Sequence, residues 1–314
     1  MRDADQVAII IPTLRRPESL TRAIQSVQKQ RGVSDRLKEV IVVDNDPEAT
    51  AKAVVENLAA TSPLPLIWCH APIPGVATAR NRGLAETTAP LIAFLDDDEA
   101  ASPDWLATLI AAQHRLGTDV VFGPIQGHVP PNTPWHDYLC AFFGRAGPAT
   151  DEVIPEAYGC GNSLLVRATA LIGDAPFNTE ADQSGGEDDA LFSALAARGG
   201  RFGWAAQAWV TEYAPAHRAN IGYALTRAFA YGQGPSQTAA QHRRWGQLLR
   251  WMLIGVAQTG LYGLTSAALF IIGHPRRIHA YDRAVRGLGK VFWTKGFERE
   301  FYGANEVKRL NTSP

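Results

Sequence analysis

The sequence predicts an α/β fold in which a mostly parallel sheet is flanked by helices. Within residues 1–125, five short apolar runs alternate with segments of helical character. The runs are continuous rather than alternating, as expected for parallel strands that are buried on both faces. They are VAIIIP (7–12), EVIVVD (39–44), LIWCHA (66–71), LIAFLDD (91–97) and VVFGPI (120–125).

Composition divides the chain into three regions. After residue 125 a loop-like stretch with the sequence HVPPNTPW leads to a second organised block over 158–234, and an uncharged stretch follows further on. We therefore predict boundaries near residues 125 and 240, which give the regions 1–125, 126–240 and 241–314.

Charge and cysteine content indicate where the protein works. The net charge is -1, but residues 1–216 carry 16 Lys and Arg against 27 Asp and Glu, whereas residues 217–314 carry 14 against 4. The two parts should therefore face different partners. Cys69, Cys140 and Cys160 are odd in number and far apart, which favours a reducing compartment over a disulfide framework. The N-terminus lacks the pattern of a signal peptide, so we expect the predicted α/β part to be cytoplasmic.

An acidic triplet follows the fourth predicted strand. Ligands of open α/β sheets bind beyond the carboxyl ends of the strands, where Asp96, Asp97 and Asp98 are expected. Three adjacent carboxylates repel one another unless a cation is present, and oxygen ligands suit Mg²⁺ or Mn²⁺ bridging to phosphates. The alternative is a helix N-cap, but it explains Ser102 or Asp104 better than it explains the triplet.

The order of six motifs resembles glycosyltransferase family 2. They are IIPTLRRPESL, VVDND, GVATARNRGL, FLDDDEA, GCGNSLLVR and GGEDDAL, and together they cover about residues 7–234. The resemblance implies the GT-A fold, a Rossmann-like sheet, and an inverting enzyme of the exopolysaccharide or surface-glycan type. It also implies that 1–125 is the nucleotide-sugar-binding half and 126–240 the acceptor-binding and catalytic half.

On the donor side the resemblance implies a nucleotide-sugar, usually a UDP-sugar, and a Mg²⁺ or Mn²⁺ ion. The implied donor contacts are Pro12, Thr13 and Arg15 against the nucleotide, Asp44 on the base, Arg80 on the nucleoside, and Asp96 and Asp97 on ribose and diphosphate, with Asp98 as the metal ligand. Simpler interpretations stay open: Pro12 could end a strand, Asp44 could cap a helix, and Arg80 could be a solvated helix residue.

On the acceptor side the resemblance implies that Asp188 is the general base and that Glu187 binds acceptor, with Asp189 as the second candidate among the acceptor residues. Two glycines before three acids would suit a close backbone approach to a ligand. A helix N-terminus favoured by the macrodipole is the alternative. Asn162 matches the acceptor-side segment, although it could be a turn residue.

The chain departs from the family where many members place a histidine that completes the metal site. Glu212 stands at that point, with His217 five residues later, and we assign the third ligand to Glu212. The chemistry implied is a single displacement with inversion, which needs no covalent intermediate.

The region 241–314 is predicted to be helical, basic and membrane-associating. Residues 251–272 carry no charge, and arginines flank them on both sides. A hairpin that re-enters or lies on the membrane is favoured over a true span, because polar residues and glycines dilute the stretch. A helical pair packed on the catalytic part, or an oligomer interface, is the alternative.

This placement suits a glycan or polyprenyl-diphosphate-linked acceptor at the inner face of the cell membrane. Nucleic-acid binding is not expected, because the basic region lacks a reading motif. The segment QHRRW at 241–245 fits the QxxRW signature of processive synthases but is interpreted as a coincidence.

Two other functions compete with the transferase. A sugar-phosphate nucleotidyltransferase would need a glycine-rich loop after the first strand, and IIPTLRRPE contains no glycine. A catalytically inactive scaffold of the same fold stays possible from sequence, which also leaves the sugar and the acceptor unnamed.

Overall fold

The computed structural model describes residues 5–183 and 185–298. These residues form two compact units. The first, here called the sheet unit, consists of the described residues within 5–127 and 143–213. The second, the helical unit, consists of residues 128–142 and 214–298. The functional division predicted at residues 125 and 240 is a separate matter and stays a prediction.

Eleven strands are present in the described part of the chain. They are β1 (Val7–Thr13), β2 (Leu37–Asp44), β3 (Leu66–His70), β4 (Leu91–Phe94), β5 (Glu99–Ala101), β6 (Val120–Phe122), β7 (Ile125–His128), β8 (Glu152–Ile154), β9 (Ser163–Val166), β10 (Phe202–Trp204) and β11 (Val210–Tyr213). Eight of them form one sheet in the order β3-β2-β1-β4-β9-β6-β10-β8, and β5-β11-β7 form a second, small sheet.

Ten α-helices accompany the strands in the same described ranges. They are α1 (Pro17–Gln28), α2 (Lys52–Ala59), α3 (Val76–Ala85), α4 (Trp105–Leu116), α5 (His136–Phe143), α6 (Arg167–Ala170), α7 (Glu187–Ala197), α8 (Ile221–Gln241), α9 (Trp245–Ile271) and α10 (Arg277–Val291). The predicted α/β class, with a sheet flanked by helices and an apolar C-terminal helix, is confirmed.

The large sheet is mixed, because β9 and β8 run antiparallel to the strands beside them. Strands β1 to β4 pair in parallel, whereas β9 lies antiparallel between β4 and β6. The run 120–125, predicted as one strand, is divided between β6 in the large sheet and β7 in the small one. The break falls at Pro124, which has no N–H to continue a ladder.

Both faces of β1 are buried, as its continuous apolar run predicts. Val7, Ile9 and Ile11 belong to one hydrophobic cluster, and Ala8 and Ile10 to the other. Helices α1 and α4 contribute to the first cluster, while α3 and α7 contribute to the second. Because β1 pairs in parallel with both β2 and β4, the loops after these three strands leave from the same edge of the sheet.

The register of the strands places the donor-side motifs together. Thr13, the last residue of β1, is the parallel partner of Asp44, the last residue of β2. On the other side of β1, Ile10 pairs with Phe94, and the N–H of Leu95 still donates to the carbonyl of Ile10. The acidic triplet therefore begins directly beside the end of β1.

In the helical unit α10 packs along both α8 and α9. The helix backbones approach so closely that glycine is required where α8 and α10 cross. A Cβ on Gly289 would overlap the carbonyl oxygen of Phe229, and one on Gly232 would overlap that of Arg286.

We predict that Gly289→Ala destabilises the helical unit by about 1–3 kcal/mol, because the two helices must separate. Gly260 in α9 is the control, since a Cβ there meets no atom within 4 Å. Gly260→Ala should instead stabilise the unit by about 0.5–1 kcal/mol through helix propensity. Urea unfolding in mild detergent, followed by circular dichroism, measures both. Equal effects of the two variants would contradict the packing described for α8 and α10.

Candidate active site

Four consecutive acids, Asp96 to Glu99, are here called the acidic run, and they follow the buried strand β4. The run folds back on itself: the N–H of Glu99 donates to the carbonyl of Asp96, and the N–H of Asp96 donates to Glu99 Oε2 at 3.0 Å. Asp97, Asp98 and Glu99 are 4%, 8% and 2% exposed. Charged groups this deeply buried need counter-charges close by.

Arg16 supplies one counter-charge. Its Nη1 lies 2.9 Å from Asp97 Oδ1 and 3.0 Å from Asp98 Oδ2. Thr13 Oγ1 donates to the other oxygen of Asp97 at 2.7 Å. The end of β1 and the start of α1 therefore bind the middle of the acidic run.

Arg80 in α3 supplies the second counter-charge. Its Nη2 lies 3.6 Å from Asp96 Oδ1, and its Nη1 donates to Glu187 Oε1 at the start of α7. Both Arg80 and Glu187 are buried. This single side chain therefore links the donor-side and acceptor-side motifs that the sequence singled out.

Arg145 supplies the third counter-charge. It also shapes the loop that contains GCGN. Its guanidinium donates to the carbonyl oxygens of Gly123, Gly159, Gly161 and Asn162 at 2.6 to 3.1 Å. Its charge also interacts with Glu99, Asp96 and Glu212, and burial lowers its pKa. The loop has no room for larger residues, since a Cβ on Gly161 would lie 2.5 Å from Asp96 Oδ2.

The start of α7 fixes Asp188. Gly185 and Gly186 have φ of 81° and 90°, in the left-handed region that glycine adopts without strain, so the two glycines are needed for the turn into the helix. Asp188 Oδ2 accepts from the N–H of Cys160 at 3.1 Å, and its Oδ1 accepts from the N–H of Asp189 at 2.9 Å. Asp189 lies exposed on the same helical turn.

Electrostatics in this part of the sheet unit disfavour carboxylate ionisation. Burial raises the pKa of Asp96 to about 6, with Arg80 opposing the shift and the other carboxylates of the acidic run adding to it. Burial, with Asp96 and Glu212 close by, raises the pKa of Glu99 well above its usual range. Burial also raises the pKa of Glu187 in spite of its pairing with Arg80. Protons or a further cation would relieve this repulsion.

Asp44 and Arg15, which were predicted to contact the nucleotide, bind other groups of the chain. Asp44 is fully buried, and its Oδ2 accepts from the N–H of Ala51 at 2.8 Å and from Trp68 Nε1 at 3.3 Å. Arg15, with φ of 54°, lies 2.9 Å from Asp46. Asp44 thus anchors the turn that precedes α2, which has no side-chain cap, and its contact with a base stays a prediction, as do those of Pro12 and Arg15.

Asn162 lies inside the sheet unit with no exposed surface. Its Nδ2 donates to the carbonyls of Pro124 and Ala208 at 2.8 and 3.0 Å, and its Oδ1 accepts from Trp105 Nε1 at 2.7 Å. Its φ of 52° is one that Asn tolerates better than most residues. This geometry gives it a structural role and lends no support to the predicted contact with an acceptor.

Glu212 lies next to the acidic run. It is the antiparallel partner of Glu99 where β11 pairs with β5, and the N–H of Tyr213 donates to the carbonyl of Asp98. Its assignment as a metal ligand stays a prediction.

No group of three His, Cys, Asp or Glu side chains within residues 5–183 and 185–298 is arranged to hold a metal ion. The carboxylates of the acidic run nevertheless fit a metal site that is shared with substrate phosphates. Both oxygens of Asp97 are occupied by Thr13 and Arg16, whereas Asp98 binds the Arg16 guanidinium, a cation, through one oxygen. Mg²⁺ typically takes one or two protein carboxylates together with substrate phosphates, and Asp98 could serve in that way.

Sequence reasoning missed three residues of this site. The motif match identified Arg15 and not its neighbour Arg16. Arg145 has no local pattern that distinguishes it. Asp182 was also missed: its carboxylate accepts from the N–H and the hydroxyl of Thr78, in the first turn of α3, at 3.1 and 2.6 Å. A Cβ on Gly75 would overlap that carboxylate. Gly75 was therefore the one sign in the sequence that another group lies close to the start of α3.

Comparison with known proteins identifies the family of the chain. Residues 8–168 match the family described as Glycosyl transferase family 2. The chain is 32% identical over 302 residues to succinoglycan biosynthesis protein ExoM of Rhizobium meliloti, covering 96% of this chain and 97% of that protein.

The chain belongs to glycosyltransferase family 2. Another similar protein is the GalNAc(5)-diNAcBac-PP-undecaprenol beta-1,3-glucosyltransferase of Campylobacter jejuni, 29% identical over 38% of this chain and 37% of that protein. The crystal structure of S. aureus TarS superimposes on 70% of this chain and over 38% of the TarS chain, with 19% sequence identity and a TM-score of 0.48. Family membership identifies the chain as a glycosyltransferase, and the GT-A architecture that the family implies agrees with the sheet described above.

The raised pKa of Asp96 predicts a pH-dependent gain from Asp96→Asn. The folded pKa of about 6 exceeds the unfolded value of 3.8. The contribution of Asp96 to the free energy of unfolding is therefore fully present below pH 3.8 and is lost as the pH rises through 6. The side chain is 40% exposed, so solvent screens the charge and the gain at pH 8 should be about 1 kcal/mol. Thermal unfolding from pH 5 to 8 measures it.

Asp35→Asn, at an exposed carboxylate of the same unit, is the control and should change little at any pH. A stability difference for Asp96→Asn that does not shrink as the pH falls would contradict the assignment of the shift to Asp96.

Proposed function

We propose that the chain transfers a sugar from a nucleotide-sugar, best a UDP-sugar, to a hydroxyl of a polyprenyl-diphosphate-linked glycan, with inversion, during assembly of a surface polysaccharide. The observation that carries this proposal is the bridge made by Arg80. It holds Asp96 of the acidic run and Glu187, the neighbour of the fixed carboxylate of Asp188, on one guanidinium.

The names of two relatives support the acceptor class. ExoM is named for succinoglycan biosynthesis, and the Campylobacter jejuni enzyme is named for an undecaprenol-diphosphate-linked substrate. Neither name specifies a nucleotide, so UDP is proposed from the resemblance alone.

The acidic run is the proposed donor site. A nucleoside diphosphate adds negative charge to buried carboxylates, so its binding requires positive charge at the same place. Asp98 would hold a Mg²⁺ or Mn²⁺ ion, which supplies charge neutralisation for the leaving diphosphate. Arg16 and Arg80 are the chain's own cations beside Asp96, Asp97 and Asp98.

Asp188 is the proposed general base. It is partly exposed, and its carboxylate is oriented by the N–H groups of Cys160 and Asp189, so a lone pair can face an acceptor hydroxyl. Glu187 is buried and paired with Arg80, which suits it to positioning rather than to proton transfer. The hydroxyl loses its proton to Asp188 as its oxygen attacks the anomeric carbon opposite the leaving diphosphate, and the configuration inverts in one step.

We predict that Asp188→Asn lowers kcat by about 10²- to 10⁴-fold, because the amide cannot accept the proton. Donor affinity should stay near that of the wild type, since the side chain keeps its shape. Asp98→Ala should instead abolish Mn²⁺-dependent donor binding. Calorimetry with UDP-, GDP- and dTDP-sugars measures binding, and transfer to a synthetic lipid-linked acceptor measures turnover.

A folded wild-type protein that binds none of these donors would contradict the proposal and favour a scaffold of the same fold. Formation of a nucleotide-sugar from a sugar phosphate and UTP would instead favour the nucleotidyltransferase. Full activity of Asp188→Asn would remove Asp188 from the role of base while leaving the donor site intact.

The membrane-associated location is also proposed, from the helical unit. Helix α9 has 27 residues, about 40 Å, and it is the helix among the described residues that is apolar and long enough to cross a membrane. Only 11% of the most apolar 18-residue segment of α9 is buried. The large apolar side chains exposed on and just after α9 are Trp245, Leu249, Leu253, Val256, Leu261, Leu264, Phe270, Ile271 and Ile272.

The charges on α10 favour a helix that lies on the membrane over one that spans it. Gln258 and Tyr262, in the middle of α9, bind the backbone carbonyl and the guanidinium of Arg283 at 2.7 and 2.8 Å. If α9 crossed the bilayer, the exposed Arg283 would lie near the midplane, where an arginine is costly. In a surface-lying hairpin the same charge stays at the head groups of the inner leaflet, together with Arg276 and Arg277 at the end of the hairpin.

We predict that the protein binds vesicles of mixed phosphatidylglycerol and phosphatidylcholine, and binds phosphatidylcholine vesicles less. The double variant Leu253→Asp and Leu264→Asp should reduce the bound fraction at least tenfold, since both side chains lie on the exposed apolar face of α9. Flotation in a density gradient measures binding. Gln25→Asp, on the exposed surface of α1, should bind as the wild type does. Unchanged flotation of the double variant would contradict a role for this face.

A further inference from the structure

Arg16 stands where the acidic run needs a cation. A single nitrogen, Nη1, lies 2.9 Å from Asp97 and 3.0 Å from Asp98, and the arginine side chain is 17% exposed. The residue precedes α1, whose first residue is Pro17, at the same sheet edge where the proposed donor site lies. Arg16 is therefore partly accessible from that edge of the sheet.

The two carboxylates are not held equally. Asp97 is bound by Thr13 Oγ1 at 2.7 Å as well as by Arg16, so it keeps an anchor if the arginine leaves. Asp98, in the described part of the chain, is bound through its side chain by Arg16. Departure of the guanidinium would thus free Asp98 and leave Asp97 in place.

A divalent cation on Asp98 and the Arg16 guanidinium at 3.0 Å from the same carboxylate would repel each other. A guanidinium also matches the two oxygens of a diphosphate through paired N–H bonds, which gives it a second partner of suitable geometry. The two cations can therefore coexist once a diphosphate lies between them, and they compete before it arrives.

We propose that Arg16 is an exchangeable counter-ion: it neutralises Asp98 before the donor binds, and it transfers to the donor diphosphate when a divalent cation takes its place. This inference rests on the proposed function, because it assumes a diphosphate at the acidic run. It makes Arg16 a residue that couples the binding of metal and donor. The coupling is reciprocal, so each ligand strengthens the binding of the other.

The test is Mn²⁺ binding, measured by electron paramagnetic resonance with and without UDP. Arg16→Gln should bind Mn²⁺ alone about fivefold or more tighter than the wild type, because the competing charge is gone. UDP should improve Mn²⁺ affinity much less in this variant than in the wild type. Arg16→Lys keeps the charge but not the paired N–H bonds. It should therefore bind Mn²⁺ alone as the wild type does and still lose part of the coupling to UDP.

Arg15→Gln is the matched control, since it removes the adjacent charge, whose partners are Asp46 and Glu48. It should leave the affinity for Mn²⁺ alone unchanged. Thermal unfolding checks that every variant is folded.

Weaker or unchanged binding of Mn²⁺ alone by Arg16→Gln would overturn the exchange, and so would an equal gain in Arg15→Gln. Absence of Mn²⁺ binding in both the wild type and Arg16→Gln would overturn it as well. Sugar transfer by the wild type, measured separately, decides the proposed function whichever way the Mn²⁺ experiment falls.

Discussion

The sheet unit depends on the neutralisation of four consecutive acids placed at the end of a buried strand. Apolar packing drives β4 into the core, and the acidic run must follow it into a setting where unpaired charge is unfavourable. Three arginines meet this requirement from three distant parts of the chain. Arg16 joins the run to the start of α1, and Arg80 joins it to α7. Arg145 binds the loop of Gly159 to Asn162, and its charge interacts with Glu99 and Asp96. The geometry around Asp188 is a consequence of these pairings.

The sequence predicted the parts of this arrangement that are local in the chain. Continuous apolar runs predicted strands buried on both faces, and the acids after β4 and the glycines before Glu187 predicted where polar chemistry lies. The pairings of Arg16 with Asp97 and of Arg80 with Glu187 were not predictable, because 81 and 107 residues separate the partners and no spacing rule connects them. Asn162 and Asp44 illustrate the same limit: a polar residue at a strand end or turn can bind a ligand or the chain itself, and only the hydrogen bonds distinguish the two cases.

The mixed sheet has a similar explanation. Nothing in the residues of β9 determines its direction within the sheet. Its antiparallel entry between β4 and β6 brings the GCGN loop, which precedes β9, to the same sheet edge as the acidic run, which follows β4. The donor-side and acceptor-side motifs meet because these two neighbouring strands run in opposite directions.

The central claim is that the acidic run is a donor site completed by a cation and a diphosphate. The most direct measurement is a crystal structure with UDP and Mn²⁺, with the manganese located by its anomalous scattering. We predict a single anomalous peak between the Asp98 carboxylate and the diphosphate, with Arg16 on a phosphate oxygen. UDP bound away from the acidic run, or Mn²⁺ at a position that does not include Asp98, would contradict the account.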